Sequence, residues 1–402
     1  MNIGLFYNNK NQTQGGGYTF QEELLKNIYK IKDKNISFTL ICSKKIVKDI
    51  NNYESIFKNI ISLNRNIYDR FRENLIRNFS FFSERSSYES KLDKLCKKNK
   101  IDLILFLDNI HTIHTNIPFI TIVYDIDHLK YPFFPEYSKN NKWYKRENSL
   151  NYHLRRATGI ISGTEYGISQ INEYYGIPKN KLFKIPHPAI NSDFKNEILL
   201  NEEIIKKNNL TKNKFLFYPA QFWAHKNHKS LINLGIHLKK KFNDDIKIVF
   251  SGSDKGNLNF IKSEIKKNDL QDVIKYLGFI NRNEIFALYK NCLALTYVSY
   301  GGPENLPPLE AFTIGCPVIA NKNEGSIEQL GDGAILIDVD DTEIFLNSVT
   351  KLFDKNYRLK LINNGFKVSK EKSINNFMIN LKNIFSKIEK YINTWKNLNN
   401  NK

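Results

Sequence analysis

Residues 299–325 read SYGGPENLPPLEAFTIGCPVIANKNEG. A loop rich in glycine and proline runs into a short apolar segment holding one acid, Glu310, and then into the buried-strand pattern of 318–320. Proline is tolerated in the first helical turn, where backbone N–H groups lack partners, so Pro307 and Pro308 mark a helix start with Asn305 as its cap. Glu310 lies among Leu309, Ala311 and Phe312, and a carboxylate in such company needs a partner. Two partners fit. If the helix faces a ligand, the carboxylate can accept two hydrogen bonds from a vicinal diol such as a ribose. If it does not, the acid simply favours the positive end of its helix.

Working outward, the same alternation of helix and apolar strand covers the chain. Strands are predicted at 3–7, 37–42, 103–107, 119–124, 159–162 and 182–185, with helices at 20–31 and 90–98. After Pro186, His187 and Pro188 the series restarts, with strands at 215–218, 246–251, 275–277, 293–298, 318–320 and 335–337. Helices at 229–242, 258–267 and 282–290 separate them. Such alternation implies an α/β fold of two Rossmann-like domains, each a parallel sheet covered by helices on both faces. The expected division is 1–190, 191–372, and a C-terminal helix and tail at 373–402 packing back toward the N-terminal domain through Phe377, Ile379, Ile384 and Ile388. A chain of 402 residues suits two cores, and 41% hydrophobic residues supply them.

The charge is +19, from 60 Lys+Arg against 41 Asp+Glu, a field that attracts polyanions without choosing among nucleic acid, anionic lipid and phosphorylated substrate. Four cysteines, Cys42, Cys96, Cys292 and Cys316, form no CxxC pair and read as reduced thiols of a cytosolic protein, with neither zinc site nor disulfide framework. The start, MNIGLFYNNKN, lacks a signal-peptide pattern, and no apolar run reaches the roughly 20 residues of a membrane span. Membrane contact is therefore expected to be peripheral. Residues 58–100 are basic and aromatic: either a solvated helix pair with its rings packed inward, or a cationic surface for anionic lipid or a lipid-linked acceptor.

In parallel sheets ligands bind beyond the carboxyl ends of the strands, so residues directly after strands are candidates. Gly15, Gly16 and Gly17 follow the first strand and precede a helix. They allow close approach of a phosphate, or they are only a flexible turn. The loop is longer than a GxGxxG turn and no ribose-gripping acid follows the second strand, so a nicotinamide cofactor is poorly matched, although Lys44 is compatible with the 2′-phosphate of NADP. Asp125, Asp127 and His128 follow the strand ending at Tyr124. Asp125 is read equally as a substrate contact or a turn cap, and Asp127 as a cap. Lys226 and Asn227 stand just ahead of a helix, a recipe for phosphate binding, or belong to a surface HKNH cluster in which Asn227 or His228 caps the helix. His225 and His228 lack a third ligand nearby, so no metal is expected there.

With these motifs in place, the sequence resembles the retaining GT-B glycosyltransferases of family 4, also called glycosyltransferase group 1. The resemblance is carried by the Gly-rich first loop, SGTEYGISQINEYYGIPKNKLFKIPHP, AQFWAHKNH, YLGFINRNEIFALYKNCLALTYVS and, most specifically, NLPPLEAFTIGCPVIANKNEG. It implies parallel sheets facing a central cleft. It also implies transfer of a sugar from a GDP- or UDP-linked donor to a glycan or lipid-linked saccharide in cell-surface polysaccharide or lipopolysaccharide assembly. Glu310 matches the second acid of the family's E-x7-E motif, which holds the ribose. Lys226 matches the basic residue on the diphosphate. Asn305 and Leu306 match backbone beside phosphates or sugar, Gly16 and Gly17 the first-domain loop that closes over the donor, and Phe279 a contact to the base. Three positions depart from the pattern. The first acid of E-x7-E falls on Gly302, with Glu304 displaced nearby. The arginine ahead of the lysine falls near Ala220 or Gln221. The histidine of a His-Asp pair reads Tyr124 before Asp125, leaving His128 as its spatial substitute.

Lys226 and helix N-termini then stabilise the leaving nucleoside diphosphate without a metal or cofactor. The protein is expected in the cytoplasm, peripheral on the inner face of the cytoplasmic membrane, with an anionic membrane surface among its partners. Three rivals stand beside this: a catalytically impaired partner subunit, suggested by Gly302; a nucleotide-sugar epimerase or hydrolase; and a basic nucleic-acid-binding protein, which lacks a recognisable reader motif.

Overall fold

Apolar runs become strands and amphipathic runs become the helices that cover them. The computed structural model describes residues 1–7, 16–43, 53, 55–57, 59–78, 88–107, 113–189 and 203–396. Gly15, Lys44, most of the stretch holding the expected domain boundary (190–202) and the tail beyond 396 lie outside the described residues. The chain divides into two compact units. The first holds Met1–Pro132, Tyr137–Pro186 and Asn375–Lys402; the second holds Phe133–Glu136 and His187–Ile374.

The first unit is built on seven parallel strands: β1 (Asn2–Tyr7), β2 (Ser37–Ser43), β3 (Asn59–Leu63), β4 (Leu103–Phe106), β5 (Phe119–Ile122), β6 (Gly159–Ser162) and β7 (Leu182–Lys184). Their order is β3-β2-β1-β4-β5-β6-β7, so the winding reverses between β1 and β4. Ile3 stands against Phe38 on one side and Leu103 on the other. Helices α1 (Gly16–Asn27), α2 (Ile67–Asn78), α3 (Lys91–Lys98), α4 (Asp127–Lys130), α5 (Pro135–Ser138), α6 (Lys142–Arg156) and α7 (Glu165–Tyr175) connect them. Buried Phe6, Ile41, Ile104, Phe106, Phe119 and Ile160 centre one face of the core.

The second unit has six parallel strands: β8 (Phe215–Pro219), β9 (Lys247–Ser251), β10 (Ile274–Tyr276), β11 (Ala294–Tyr297), β12 (Val318–Asn321) and β13 (Ala334–Ile337). The order is β10-β9-β8-β11-β12-β13, with the reversal between β8 and β11. Its helices are α8 (Glu203–Lys207), α9 (His228–Phe242), α10 (Leu258–Lys267), α11 (Arg282–Asn291), α12 (Leu306–Ile314), α13 (Glu324–Leu330), α14 (Thr342–Lys351) and α15 (Lys355–Glu371). Phe215, Phe217, Val249, Phe250, Leu295 and Ile319 are buried in its core.

Three details differ from the sequence expectation. The 58–100 stretch, read as a helix pair, opens with an edge strand, β3, whose residues are mostly half-exposed or exposed and so carry little apolar signal. The last helix, α16 (Ile374–Lys396), buries Phe377, Met378, Leu381, Ile384, Phe385, Ile388 and Ile392, but Ile379 is 59% exposed. At 3.6 residues per turn, Ile379 falls nearly opposite Phe377. The helix sits on the first unit: Phe377 meets Phe20 edge-on, Phe385 packs beside Phe38, and Lys382 Nζ lies 3.2 Å from Asp33 Oδ2. Finally, the boundary is not one cut. Phe133–Glu136 join the second unit because Phe134 stacks on Tyr300 (centroids 6.1 Å, planes 23° apart) and Glu136 accepts from the His225 backbone N–H at 2.8 Å.

Candidate active site

The predicted residues fall in both units, and each group stands on its own sheet. In the second unit the group lies at the carboxyl ends of β8 and β11, the pair of strands where the winding reverses, which is where open α/β sheets bind ligands. β8 leads through Gln221 to a short 3₁₀ turn, Ala224–Lys226. β11 leads into the loop 298–305 and then α12.

Lys226 is half-buried. Its Nζ donates to Tyr297 Oη at 3.2 Å and Ser299 Oγ at 3.3 Å and lies 5.6 Å from the centre of the Tyr297 ring. Among the described residues no carboxylate is paired with it. A cation held only by hydroxyls at a switch point is poised for an anion. Asn227 caps α9 through its side chain, accepting from Ser230 N–H at 3.3 Å, with the backbone turned to φ 51°. His228 is fully buried instead, stacked on Phe222 at 4.2 Å, and burial pushes its imidazole down to about 3, so it is neutral.

Tyr297 extends the network, donating from Oη to Asn305 Oδ1 at 2.7 Å. Asn305 occupies the cap position of α12 but makes no side-chain cap bond, which corrects the expectation. Its amide is used sideways: Nδ2 donates to Gly302 O at 3.2 Å, while its backbone is clasped by the Gln329 amide at 3.0 and 2.9 Å. Pro307 and Pro308 carry no N–H, so of the first three helical residues only Leu306 has one to offer a ligand.

Gly302 has φ 93°, and a Cβ built there would meet Asn305 Oδ1 at 2.8 Å and Nδ2 at 3.1 Å. An acid at this position is disfavoured twice, by backbone conformation and by Asn305. Glu310, one turn into α12, is half-buried, and its Oε2 accepts from the buried Tyr289 hydroxyl at 3.2 Å. A phenol thus meets this carboxylate from within the protein.

Glu304, the acid displaced from the Gly302 position, is turned to His187. It is 8% exposed, its Oε1 accepts from the His187 backbone N–H at 3.0 Å, and its Oε2 lies 3.1 Å from His187 Nδ1. Burial pushes the Glu304 carboxyl up to about 8 and the His187 imidazole down to about 4, so near neutral pH the pair is uncharged. The carboxyl proton is held more tightly in the fold than in the unfolded chain. Its stabilising effect is thus complete below the ordinary value of 4.5 and lost as pH rises through about 8. Melting curves of wild type and Glu304→Gln across that window are expected to show the wild type losing stability relative to the variant. Parallel curves would contradict this protonation state.

Gln221 accepts from Trp223 Nε1 at 2.9 Å and so shapes the turn that carries Lys226. Phe279 lies just beyond β10 on the same sheet edge and is 58% exposed, an open aromatic face on which a base can stack.

In the first unit Gly16 and Gly17 open α1, directly beyond β1 in the chain, and Gly17 stands close to the Tyr124 ring. Tyr124, in the family's histidine position, donates to Leu107 O at 2.6 Å and accepts from Gln21 Nε2 at 3.2 Å. Asp125 is bound by the Arg146 guanidinium and caps Asp127 N–H at 3.0 Å. Burial opposes its charge, but Arg146 holds the carboxyl below the usual range. His128 has no exposed surface. Its Nε2 lies 3.0 Å from Glu147 Oε2 and its carbonyl accepts from Trp143 Nε1 at 2.9 Å. Burial and Arg146 keep it neutral. The structure encloses His128 instead of presenting it to an acceptor, because α4 turns its side chain into the packing against α6. Arg146, Glu147, Tyr297, Ser299, Tyr289 and His187 were missed as partners. Tyr297 and Ser299 carried a legible signal, since they close an apolar strand.

Known proteins resemble this chain in sequence and in fold. Residues 201–368 fit the model of the family described as glycosyl transferases group 1. The O-antigen chain mannosyltransferase RfbU of Salmonella typhimurium is 24% identical over 203 residues, covering 50% of this chain and 53% of that protein. The chain spans about half the length of the curated relatives it matches. Among solved structures, a glycosyltransferase from Rickettsia africae superposes with a TM-score of 0.70 at 18% identity, over 97% of this chain and 98% of that one. HepE of Anabaena, solved in complex with UDP-glucose, gives 0.69 at 14%, over 96% and 99%. The fold is that of the GT-B glycosyltransferases. The match to the glycosyl transferases group 1 family lies in the second unit, over residues 201–368.

Proposed function

We propose that this protein is a retaining hexosyltransferase that moves a sugar from a GDP- or UDP-linked donor to a glycan or lipid-linked saccharide during cell-surface polysaccharide assembly, on the cytoplasmic side. The observation that carries the reading is Lys226: a cation supported by two hydroxyls, without a carboxylate partner among the described residues, at the switch point of the unit that matches the group 1 family. The names of the O-antigen mannosyltransferase relatives support the acceptor class, and the UDP-glucose complex of HepE supports a nucleotide-sugar donor.

On this reading the donor diphosphate sits against Lys226 and the Leu306 N–H, Glu310 exchanges its Tyr289 contact for the ribose diol, and the base lies on Phe279. The bond from the anomeric carbon to the phosphate oxygen breaks as charge builds on the nucleoside diphosphate, which Lys226 stabilises. The acceptor hydroxyl attacks from the same face, and its proton passes to the departing phosphate, so the configuration is kept. Neither Asp125 nor His128 takes a proton; with Arg146 and Glu147 they hold the loop after β5. No metal or cofactor is assigned a part.

The test is product analysis after incubation with GDP- and UDP-hexoses, with and without a lipid-linked saccharide acceptor. Transfer with retained anomeric configuration, and little nucleotide release without acceptor, is the expected result. Free sugar as the main product would favour a hydrolase. Nucleotide binding without turnover on any acceptor would favour the catalytically impaired subunit that Gly302 suggested.

A further inference from the structure

Where the chain leaves α1 and turns toward β2, it meets the first turns of α16 around a cavity of about 300 Å³. Strand β2 starts at Ser37, so the cavity lies beyond the amino ends of the strands. That is the opposite edge of the first sheet from Gly16, Gly17 and Asp125. Its floor is apolar and its rim is cationic. Ile31 and Met378 are buried beneath it, and Ile379, which α16 leaves exposed, forms one wall. Lys30, Lys32 and Lys382 stand around the same space.

The three lysines are not equivalent. Lys382 Nζ lies 3.2 Å from Asp33 Oδ2 and donates to Lys32 O at 3.2 Å, so its charge is already met. Half-buried Lys30 and exposed Lys32 are paired with no carboxylate among the described residues. Exposed Lys26 and Lys34, on the same stretch of chain, add charge of the same sign. Cations gathered in this way repel one another until an anion joins them. Two free ammonium groups match a phosphate monoester, which carries about −1.5 to −2 near neutral pH, better than a single carboxylate. Asn375 adds a side-chain amide at the positive end of the 23-residue α16. The apolar floor favours an ester with a hydrocarbon part over bare phosphate. The volume is at the small end for ligand pockets, which limits that part to a ring or a short chain.

We propose that this cavity binds a small organic phosphate monoester, with the phosphate on Lys30 and Lys32 and the hydrocarbon part on Ile31, Met378 and Ile379. It is a second anion site, in a different unit from Lys226. A ligand held there ties the connection between α1 and β2 to α16, and so holds the last helix on the first sheet.

Calorimetric titration of the full chain with phenyl phosphate tests this, with inorganic phosphate and benzoate as comparison probes. Phenyl phosphate is expected to bind at least about tenfold more tightly than either, because only it offers both the double charge and the ring. Lys30→Glu with Lys32→Glu should weaken it by at least about tenfold, since both charges are reversed. Ile379→Ser should weaken it roughly fourfold, the worth of one buried methylene group. All three side chains lie at the surface or half-buried, and an unchanged melting temperature keeps folding apart from binding. Lys226→Ala should leave this binding as it is. Equal binding in wild type and both cavity variants would overturn the proposal, as would no binding of phenyl phosphate, or inorganic phosphate or benzoate binding as tightly. Loss of the binding in Lys226→Ala would place the probe in the second unit and overturn it too. Because the readout is phosphate binding in the first unit, a failure of the transferase reading leaves it standing, and the reverse also holds.

Discussion

Lys226→Ala is expected to lower donor turnover by about two to three orders of magnitude, the usual loss when one preorganised stabiliser of transition-state charge is removed. The neighbours of Lys226 decide this. They are the hydroxyls of Tyr297 and Ser299, neutral groups that orient an ammonium without neutralising it. Those hydroxyls can find other partners, so the cost to stability should stay within about 1 kcal/mol. Lys226→Arg should recover only part of the rate, because a planar fork does not reproduce a point donor between two fixed oxygens. Initial rates with saturating acceptor, alongside melting temperatures, separate the two effects. Near-normal turnover in the alanine variant would remove Lys226 from the mechanism.

Restoring the acid the family pattern expects, by Gly302→Glu, should damage the protein. Gly302 holds φ 93°, in the left-handed half of backbone space, where a side chain costs about 1–2 kcal/mol. Its new Cβ would lie 2.8 Å from Asn305 Oδ1, the atom that accepts from Tyr297. Asn305 must move, the Tyr297 bond is lost, and with it the hydroxyl that steadies Lys226, adding roughly 1 kcal/mol. The expected outcome is a lower melting temperature together with at least a tenfold loss in kcat/KM. A stable variant with higher activity would show that Gly302 is a defect in the site. The structure instead makes it part of a different loop, built around Asn305.

Much of the fold was legible in the sequence because parallel strands are buried on both faces and read as apolar runs. The interior strands fell within a residue or two of prediction, and the residues directly after β8 and β11 lie together where the winding reverses. The edge strand β3 was missed because an edge shows solvent a polar, half-exposed row. The partners were missed for another reason. Glu304 and His187 are 117 residues apart, Lys226 and Tyr297 71, His225 and Glu136 89. No local pattern announces such pairings, so the candidate residues were readable while their partners were not. Asn305 looked like a cap and became a brace. Glu304, read as a candidate donor contact, is buried beside His187. Asp125 and His128, read as chemical candidates, pair with Arg146 and Glu147, which no local pattern announced.

Everything proposed for the reaction depends on the second unit holding a nucleoside diphosphate against Lys226. Calorimetric titration of wild type and Lys226→Ala with UDP and GDP tests this most directly. One site per chain is expected for at least one of the two nucleotides, with affinity at least tenfold weaker in the variant. Equal affinity in both proteins, or no binding of either nucleotide to the wild type, would contradict it.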